Sequence, residues 1–157
     1  MSAAVTRRIL HWLEGHQSEL EELIGRLVSM ETPSTVAQSQ RPILRLLART
    51  LTALDFRCRI LPGKRTGGHL IAYPERRRPR LQLLLGHCDT VWPLGTLETM
   101  PLRRRDGRMY GPGIYDMKAG LAQMVFALRA LKALDLTPQV TPVVLINSDE
   151  EIGSRES

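Results

Sequence analysis

The sequence predicts an α/β fold in which a mixed, mostly parallel sheet is flanked by helices. Two runs are almost continuously apolar, "LQLLLGH" at residues 81–87 and "TPVVLINS" at residues 141–148, as expected of strands that are buried on both faces. Between them, residues 117–134 carry apolar side chains at helical spacing. A strand, a helix and a second strand in this order form a crossover unit.

The N-terminal part of the chain is predicted to be helical. Residues 5–30 have apolar residues at helical spacing, and Pro33 ends this region. A further helix is expected over residues 41–54, with Pro42 in its first turn. The pattern then changes, and the stretches "FRCRILP" and "GGHLIAYP" predict two short strands separated by a glycine turn.

Composition and charge exclude several classes of protein. The 157 residues are 43% hydrophobic with a net charge of +6, which indicates a soluble domain rather than a disordered chain. The arginine runs at 75–80 and 103–105 lack interleaved aromatic residues, so solvated loops are favoured over nucleic-acid binding. Two cysteines are too few for a disulfide framework. With no signal peptide or membrane span visible, we expect a cytoplasmic location.

The stretch "GHCDTVWP" follows the first buried strand. In extended chain His87 and Asp89 point to the same side and Cys88 to the other. An imidazole beside a carboxylate is typical of a metal ligand and the group that orients it. Two alternatives remain open, a structural histidine at a strand end and a nucleophilic pair of Cys88 with His87.

The stretch "GPGIYDMKAG" places Asp116 where a glycine-rich turn runs into the predicted helix. As an N-cap its side chain would satisfy free backbone amides, and the helix dipole would favour its charge. The same carboxylate could also ligate a cation, because glycines let the backbone approach a site closely.

The stretch "NSDEEIGS" follows the second buried strand and holds three consecutive acids. Crowded carboxylates raise one another's pKa values unless a cation offsets them, although a solvated loop is the alternative. Glu150 and Glu151 cannot share one direction, so one could bind a metal while the other takes a proton from water. Mixed nitrogen and oxygen donors suit Zn²⁺ best, with Co²⁺ or Mn²⁺ possible.

These three stretches, in this order, resemble the M20 family of di-zinc amidohydrolases and peptidases, and within it glutamate carboxypeptidase-like members. The spacing is also similar, with 29 residues from His87 to Asp116 and 34 from Asp116 to Glu150. The resemblance implies a zinc-peptidase-like catalytic domain. It also implies a cis peptide bond between Asp116 and Met117.

The resemblance implies a role for each candidate residue. His87 would bind one zinc ion, and Asp89 would orient His87. Asp116 would bridge two zinc ions, and Glu151 would bind the second. Glu150 would be the general base and acid.

Family members continue beyond the point that matches Ser157. They carry a further acidic ligand, a histidine ligand near the C-terminus and an inserted domain that closes the site and forms the dimer. His11, His16 and His69 do not match the missing histidine. Residues 1–157 are therefore expected to be the N-terminal portion of one catalytic domain, without the dimerisation or lid domain, and a homodimer is expected only in a full-length parent.

The implied activity is hydrolysis of an amide bond in a small peptide or N-acyl amino acid, of carboxypeptidase type in the full-length parent. The alternative is a catalytically inactive fragment or a non-catalytic binding module with the same fold. We expect the 157-residue chain alone to bind zinc weakly and to lack turnover, with no nucleic-acid or membrane partner.

Overall fold

The structure is a computed structural model and describes residues 3–157. Residues 1 and 2, which belong to the predicted portion of the catalytic domain, lie outside the described residues. The helices are α1 (Ala3–Gly15), α2 (Gln17–Val28), α3 (Ala37–Thr52), α4 (Thr96–Thr99) and α5 (Ala119–Ala133). The strands are β1 (Phe56–Leu61), β2 (His69–Pro74), β3 (Leu81–His87), β4 (Arg103–Arg105), β5 (Arg108–Tyr110) and β6 (Thr141–Asn147).

The main sheet has four strands in the order β1-β2-β6-β3. Strands β3 and β6 are parallel, whereas β1 with β2 and β2 with β6 are antiparallel. Helix α5 lies between β3 and β6 in the chain, which confirms the predicted crossover unit. A mixed sheet flanked by helices confirms the α/β class. The prediction that the sheet is mostly parallel is wrong, because only one of its three strand pairs in the described residues is parallel.

The helical N-terminal part is confirmed with two changes in its boundaries. Residues 5–30 form two helices, because α1 ends at Gly15 and α2 begins at Gln17. Helix α3 begins at Ala37, so the prediction that Pro42 lies in the first turn is wrong. The earlier start is held by the buried side chain of Gln40, which donates to Pro33 O and accepts from Gly67 N.

The helices α2, α3 and α5 supply most of the core against one face of the sheet, and α1 packs against this core with partly buried side chains. Strand β3 shows the consequence, since Leu84 packs against the core while Leu81, Leu83 and Leu85 are 65%, 55% and 58% exposed. The prediction that this strand is covered on both faces is wrong for the described residues. Strands of this composition are apolar on both faces, and only one face is covered by residues 3–157.

The arginines 103–105 lie in β4 of a small hairpin, not in the predicted loop. All three are exposed, and β4 pairs with β5. Asp106 and Gly107 form the turn with φ values of 51° and 70°, as a two-residue hairpin turn requires. Within residues 3–157, no helix is both long and apolar enough to cross a bilayer.

Candidate metal centre

The candidate residues meet at the carboxyl edge of the parallel pair. His87 is the last residue of β3, and it is in register with Asn147, the last residue of β6. The segment that holds Glu150 and Glu151 follows Asn147 directly. The ends of parallel strands lie at one edge of a sheet, so the two stretches are neighbours in space.

The imidazole of His87 lies between two carboxylates. Its Nδ1 is 3.3 Å from Asp89 Oδ1 and 3.1 Å from the carbonyl oxygen of Asp89. Its Nε2 is 2.9 Å from Asp116 Oδ1. Burial opposes the charged imidazole, but the hydrogen bonds with Asp89 and Asp116 outweigh burial and raise the pKa of His87 to about 9. The prediction that His87 and Asp89 face the same side is confirmed.

Asp89 contacts not only His87 but also Ser34 and the backbone of Glu150 and Glu151. Its side chain is fully buried and accepts hydrogen bonds from Ser34 Oγ at 2.7 Å, Glu150 N at 3.2 Å and Glu151 N at 3.1 Å. Burial opposes the carboxylate charge, but the hydrogen bonds from His87, Ser34 and Glu151 lower the pKa of Asp89 below its usual value. The carboxylate therefore joins His87 to the turn that carries both glutamates.

Ser34 is a site residue that the sequence pattern did not reveal. The segment around it runs beside residues 88–90, because Thr90 N donates to Thr32 O at 2.9 Å and Ser34 N donates to Thr90 O at 3.2 Å. This pairing brings Ser34 Oγ to Asp89. The stretch "ETPS" carries only the signal of a helix end, so nothing local indicated a contact with Asp89, which lies 55 residues away.

Asp116 lies in an irregular turn, Ile114–Lys118, that precedes α5. Its φ and ψ are −125° and 101°, and the N-cap residues of this turn and of α5 are Gly113 and Lys118, so the N-cap alternative is wrong. The carboxylate is 66% exposed. The peptide bond between Asp116 and Met117 is cis, which confirms the expectation from the resemblance.

Two residues fix this turn on either side of Asp116. Gly113 has φ of 68°, and a Cβ there would lie 2.6 Å from Thr90 Cγ2, so only glycine fits. Lys118 is buried, and its Nζ donates to Met30 O at 2.6 Å. Burial lowers the pKa of Lys118 to about 8. Lys118 is a second anchor that was missed, because a lysine at the start of a helix is usually solvated.

Glu150 and Glu151 begin a short 3₁₀ turn, Glu150–Ile152. Glu150 is half exposed, and its Oε2 is 4.0 Å from His87 Nε2. Burial, followed by the negative charge of Asp116, raises the pKa of Glu151 above its usual value. The two side chains therefore have different surroundings, and their separate tasks stay a prediction.

His87, Asp116 and Glu151 each offer one ligand atom, and these atoms lie within 4.8 Å of one another. In residues 3–157 this is the one group of three such side chains close enough to hold an ion. His87 turns Nδ1 to Asp89 and leaves Nε2 facing the acids, which is how a second partner orients a ligating histidine. One imidazole nitrogen with carboxylate oxygens fits a zinc-type ion.

The thiol of Cys88 is outside this cluster. Cys88 is fully buried in the apolar core, and burial strongly raises the pKa of its thiol. Its backbone amide donates to Asn147 O at 2.9 Å, which holds the side chain on the face opposite to His87. A buried thiol with a raised pKa is a poor nucleophile, so the nucleophilic pair is disfavoured.

Residues 83–157 match the family model described as Peptidase family M20/M25/M40. This segment contains His87, Asp89, Asp116, Glu150 and Glu151 in the order and spacing of the resemblance. Residues 83–157 belong to the M20 family. The match does not include Ser34.

Curated relatives of this chain include enzymes with different names. It is 31% identical over 140 residues to carboxypeptidase G2 of Pseudomonas sp. (strain RS-16), covering 88% of this chain and 34% of the relative. It is 35% identical over 147 residues to acetylornithine deacetylase of Pasteurella multocida (strain Pm70), covering 85% of this chain and 37% of the relative. The chain thus spans about a third of the length of these relatives.

Solved structures show the shared fold. Human carnosine dipeptidase 1 superposes with a TM-score of 0.84 at 22% identity, over 99% of this chain and 36% of that one. The di-peptidase Dug1p of Saccharomyces cerevisiae gives a TM-score of 0.84 at 16% identity, over 99% and 37%. These similarities establish that the chain has the fold of the corresponding part of both proteins.

Proposed function

We propose that this chain provides part of the metal centre of a hydrolase that cleaves an amide bond in a small peptide or an N-acyl amino acid. The observation that carries the proposal is the convergence of His87, Asp116 and Glu151 within 4.8 Å. Membership of the M20 family supports hydrolysis. The names of the two relatives, a carboxypeptidase and a deacetylase, support amide substrates.

We propose zinc as the metal, with two ions in the complete active site and Co²⁺ or Mn²⁺ as substitutes. His87 would hold the first ion, Glu151 the second, and Asp116 would be shared between them. Bound zinc would supply an activated water and an electrophile for the substrate carbonyl. Carboxylates crowded as Asp116 and Glu151 are, with a raised pKa at Glu151, favour a cation between them.

The proton transfers would fall to Glu150. Its carboxylate is half exposed and lies beside the cluster without being one of its three members. It can take a proton from a water molecule there and pass it to the leaving nitrogen. Asp89 would hold His87 in the tautomer that leaves Nε2 free of a proton, because Nδ1 is the nitrogen that faces Asp89.

The test uses the protein that carries this chain. Its metal content is measured, and hydrolysis of N-acyl amino acids is compared with release of C-terminal amino acids from peptides. We expect a chelator to abolish turnover and zinc to restore it. Turnover that survives verified removal of all metal would contradict the proposal. Metal binding without hydrolysis of either substrate class would favour the non-catalytic module.

A further inference from the structure

The loop between β1 and β2 surrounds a carboxylate from the other end of the chain. Glu156 Oε2 accepts from Lys64 N at 3.0 Å and from Thr66 Oγ1 at 3.1 Å. Glu156 Oε1 accepts from Arg65 N at 2.9 Å, with Arg65 Nε at 3.3 Å. Successive backbone amides that converge on one anion form a nest. Residues 63–66 are called the carboxylate nest below.

The carboxylate nest depends on a glycine. A Cβ at Gly63 would lie 2.3 Å from Thr66 Oγ1 and 3.0 Å from Glu156 Oε2, so a larger residue would displace Thr66 from its position in the nest and crowd the carboxylate. The side chain of Glu156 is 13% exposed. Burial opposes its charge, but the hydrogen bonds from the Arg65 backbone and Thr66 outweigh burial and lower the pKa of Glu156.

The backbone of Glu156 is tied to the start of the glutamate turn. Glu156 N donates to Asp149 Oδ2 at 2.8 Å, and Ser154 N donates to Asp149 O at 2.8 Å. Asp149 is buried and directly precedes Glu150. Segment 149–156 is therefore closed on itself, and its far end is fixed in the carboxylate nest.

The turn is thus held from two sides. On one side, Asp89 accepts from the amides of Glu150 and Glu151. On the other side, Glu156 joins the same segment to a loop whose position is set by β1 and β2. A turn with a single anchor could rotate about it, whereas two anchors fix the direction of the glutamate side chains.

We propose that residues 63–66 are a carboxylate-binding site, that Glu156 is its resident ligand, and that this contact positions Glu150 and Glu151. Glu156 is a positioning residue, because it reaches the glutamates only through segment 149–156. The consequence for metal affinity rests on the proposed function, whereas the binding of a carboxylate in the nest does not.

The test begins with Glu156→Ala in the 157-residue chain, followed by amide NMR. In this variant we expect added acetate to shift the amide signals of Lys64 and Arg65 saturably, as a small carboxylate refills the nest. We expect the amides of Glu150 and Glu151 to exchange with solvent about tenfold faster. The hydrogen bonds between the nest and the charged carboxylate of Glu156 are lost, so segment 149–156 is held less firmly. Acetate should slow this exchange again. If Glu156 had only a structural role, acetate would not slow the exchange of the Glu150 and Glu151 amides.

Matched variants control for charge and folding. Glu75→Ala removes an exposed carboxylate that pairs with Arg57 at 3.4 Å and should leave these amides and their response to acetate as in the wild type. Gly63→Ala should speed exchange at Glu150 and Glu151 without rescue by acetate, because the nest itself is blocked. Thr66→Val removes one donor, and its smaller effect provides a test if Glu156→Ala does not fold.

In the amide measurements, two results would overturn the proposal: no response of Lys64 and Arg65 to acetate in Glu156→Ala, or unchanged exchange at Glu150 and Glu151 in a folded variant. Zinc affinity is a separate readout, expected to fall about tenfold in Glu156→Ala and to recover with acetate. A wild-type chain that binds no zinc would contradict the proposed metal centre, while the amide signals would still decide the nest. Zinc affinity equal to the wild type's in Glu156→Ala would overturn the positioning role.

Discussion

The buried carboxylate of Asp89 accepts a hydrogen bond from the backbone amide of Glu151, with 3.1 Å between N and Oδ2. The same carboxylate lies 3.3 Å from His87 Nδ1. One side chain therefore sets both the ring of one proposed ligand and the backbone of another, although they follow different strands. The distance between the two ligands depends on Asp89, not only on the sheet.

Asp89→Asn should therefore weaken metal binding. The neutral amide removes a charge that fixes the tautomer of His87, and it replaces one of the two acceptor oxygens by a donor. We expect zinc affinity to fall about 10–100-fold, as for other residues that orient ligands. Ser34→Ala removes a single hydrogen bond to Asp89 and should have a smaller effect. Competition with a zinc-binding dye measures both, and an unchanged affinity in Asp89→Asn would contradict this role.

Glu150→Gln should separate metal binding from turnover. In the protein that carries this chain, the amide cannot accept a proton from water, so turnover should fall by about 10² to 10⁴. Metal content should remain at the wild-type level, because Glu150 is not one of the three clustered ligands. Glu98→Gln, in α4, is the control and should keep full activity. Normal turnover in Glu150→Gln would show that Glu150 is not the group that transfers the proton.

Cys88→Ala should leave the metal centre intact. Cys88 lies in the apolar core on the face opposite to His87, so zinc affinity and turnover should stay within a few-fold of the wild type. The lost sulfur leaves a small cavity, and the free energy of unfolding should fall by about 1 kcal/mol. Denaturant unfolding measures this loss. Complete inactivation of a folded Cys88→Ala variant would instead revive the thiol nucleophile.

Metal binding should release a proton from His87. Without metal, the pKa of His87 is raised from 6.5 to about 9, so at pH 7 the imidazole is charged and must lose its proton to bind zinc. Zinc affinity should therefore rise by about tenfold for each pH unit up to pH 9.

The same shift predicts how the metal-free chain responds to pH. A raised pKa in the folded state stabilises the fold fully below pH 6.5, and this contribution is lost as the pH rises through about 9.

The proton that zinc displaces from His87 is measured by calorimetric zinc titrations in buffers of different ionisation enthalpy. If zinc binding to His87→Gln released as many protons as binding to the wild type, another group would be the source of the proton.

The sequence predicted the elements that carry the site, because β3, α5 and β6 have strong apolar patterns and each motif directly follows or precedes one of them. It also predicted that His87 and Asp89 face the same side, since strand alternation is geometric. Both depend on local sequence alone.

Long-range contacts could not be predicted in the same way. Ser34 meets Asp89 only because residues 32–34 run beside residues 88–90, and Glu156 meets the loop at residues 63–66 only after the sheet has formed. Pro42 was a misleading signal, since α3 begins before it. These features follow from tertiary packing, which a single-sequence pattern does not contain.

The central claim is that His87, Asp116 and Glu151 bind one metal centre, and a Co²⁺ titration of the 157-residue chain followed by visible absorption tests it most directly. We predict weak but saturable binding, because three protein donors are offered by the described cluster, and a loss of at least about tenfold in His87→Gln, Asp116→Asn and Glu151→Gln. Asp55→Asn, which removes an exposed carboxylate that pairs with Lys132, should bind like the wild type. Equal Co²⁺ affinity in the wild type and in all three ligand variants would contradict the claim.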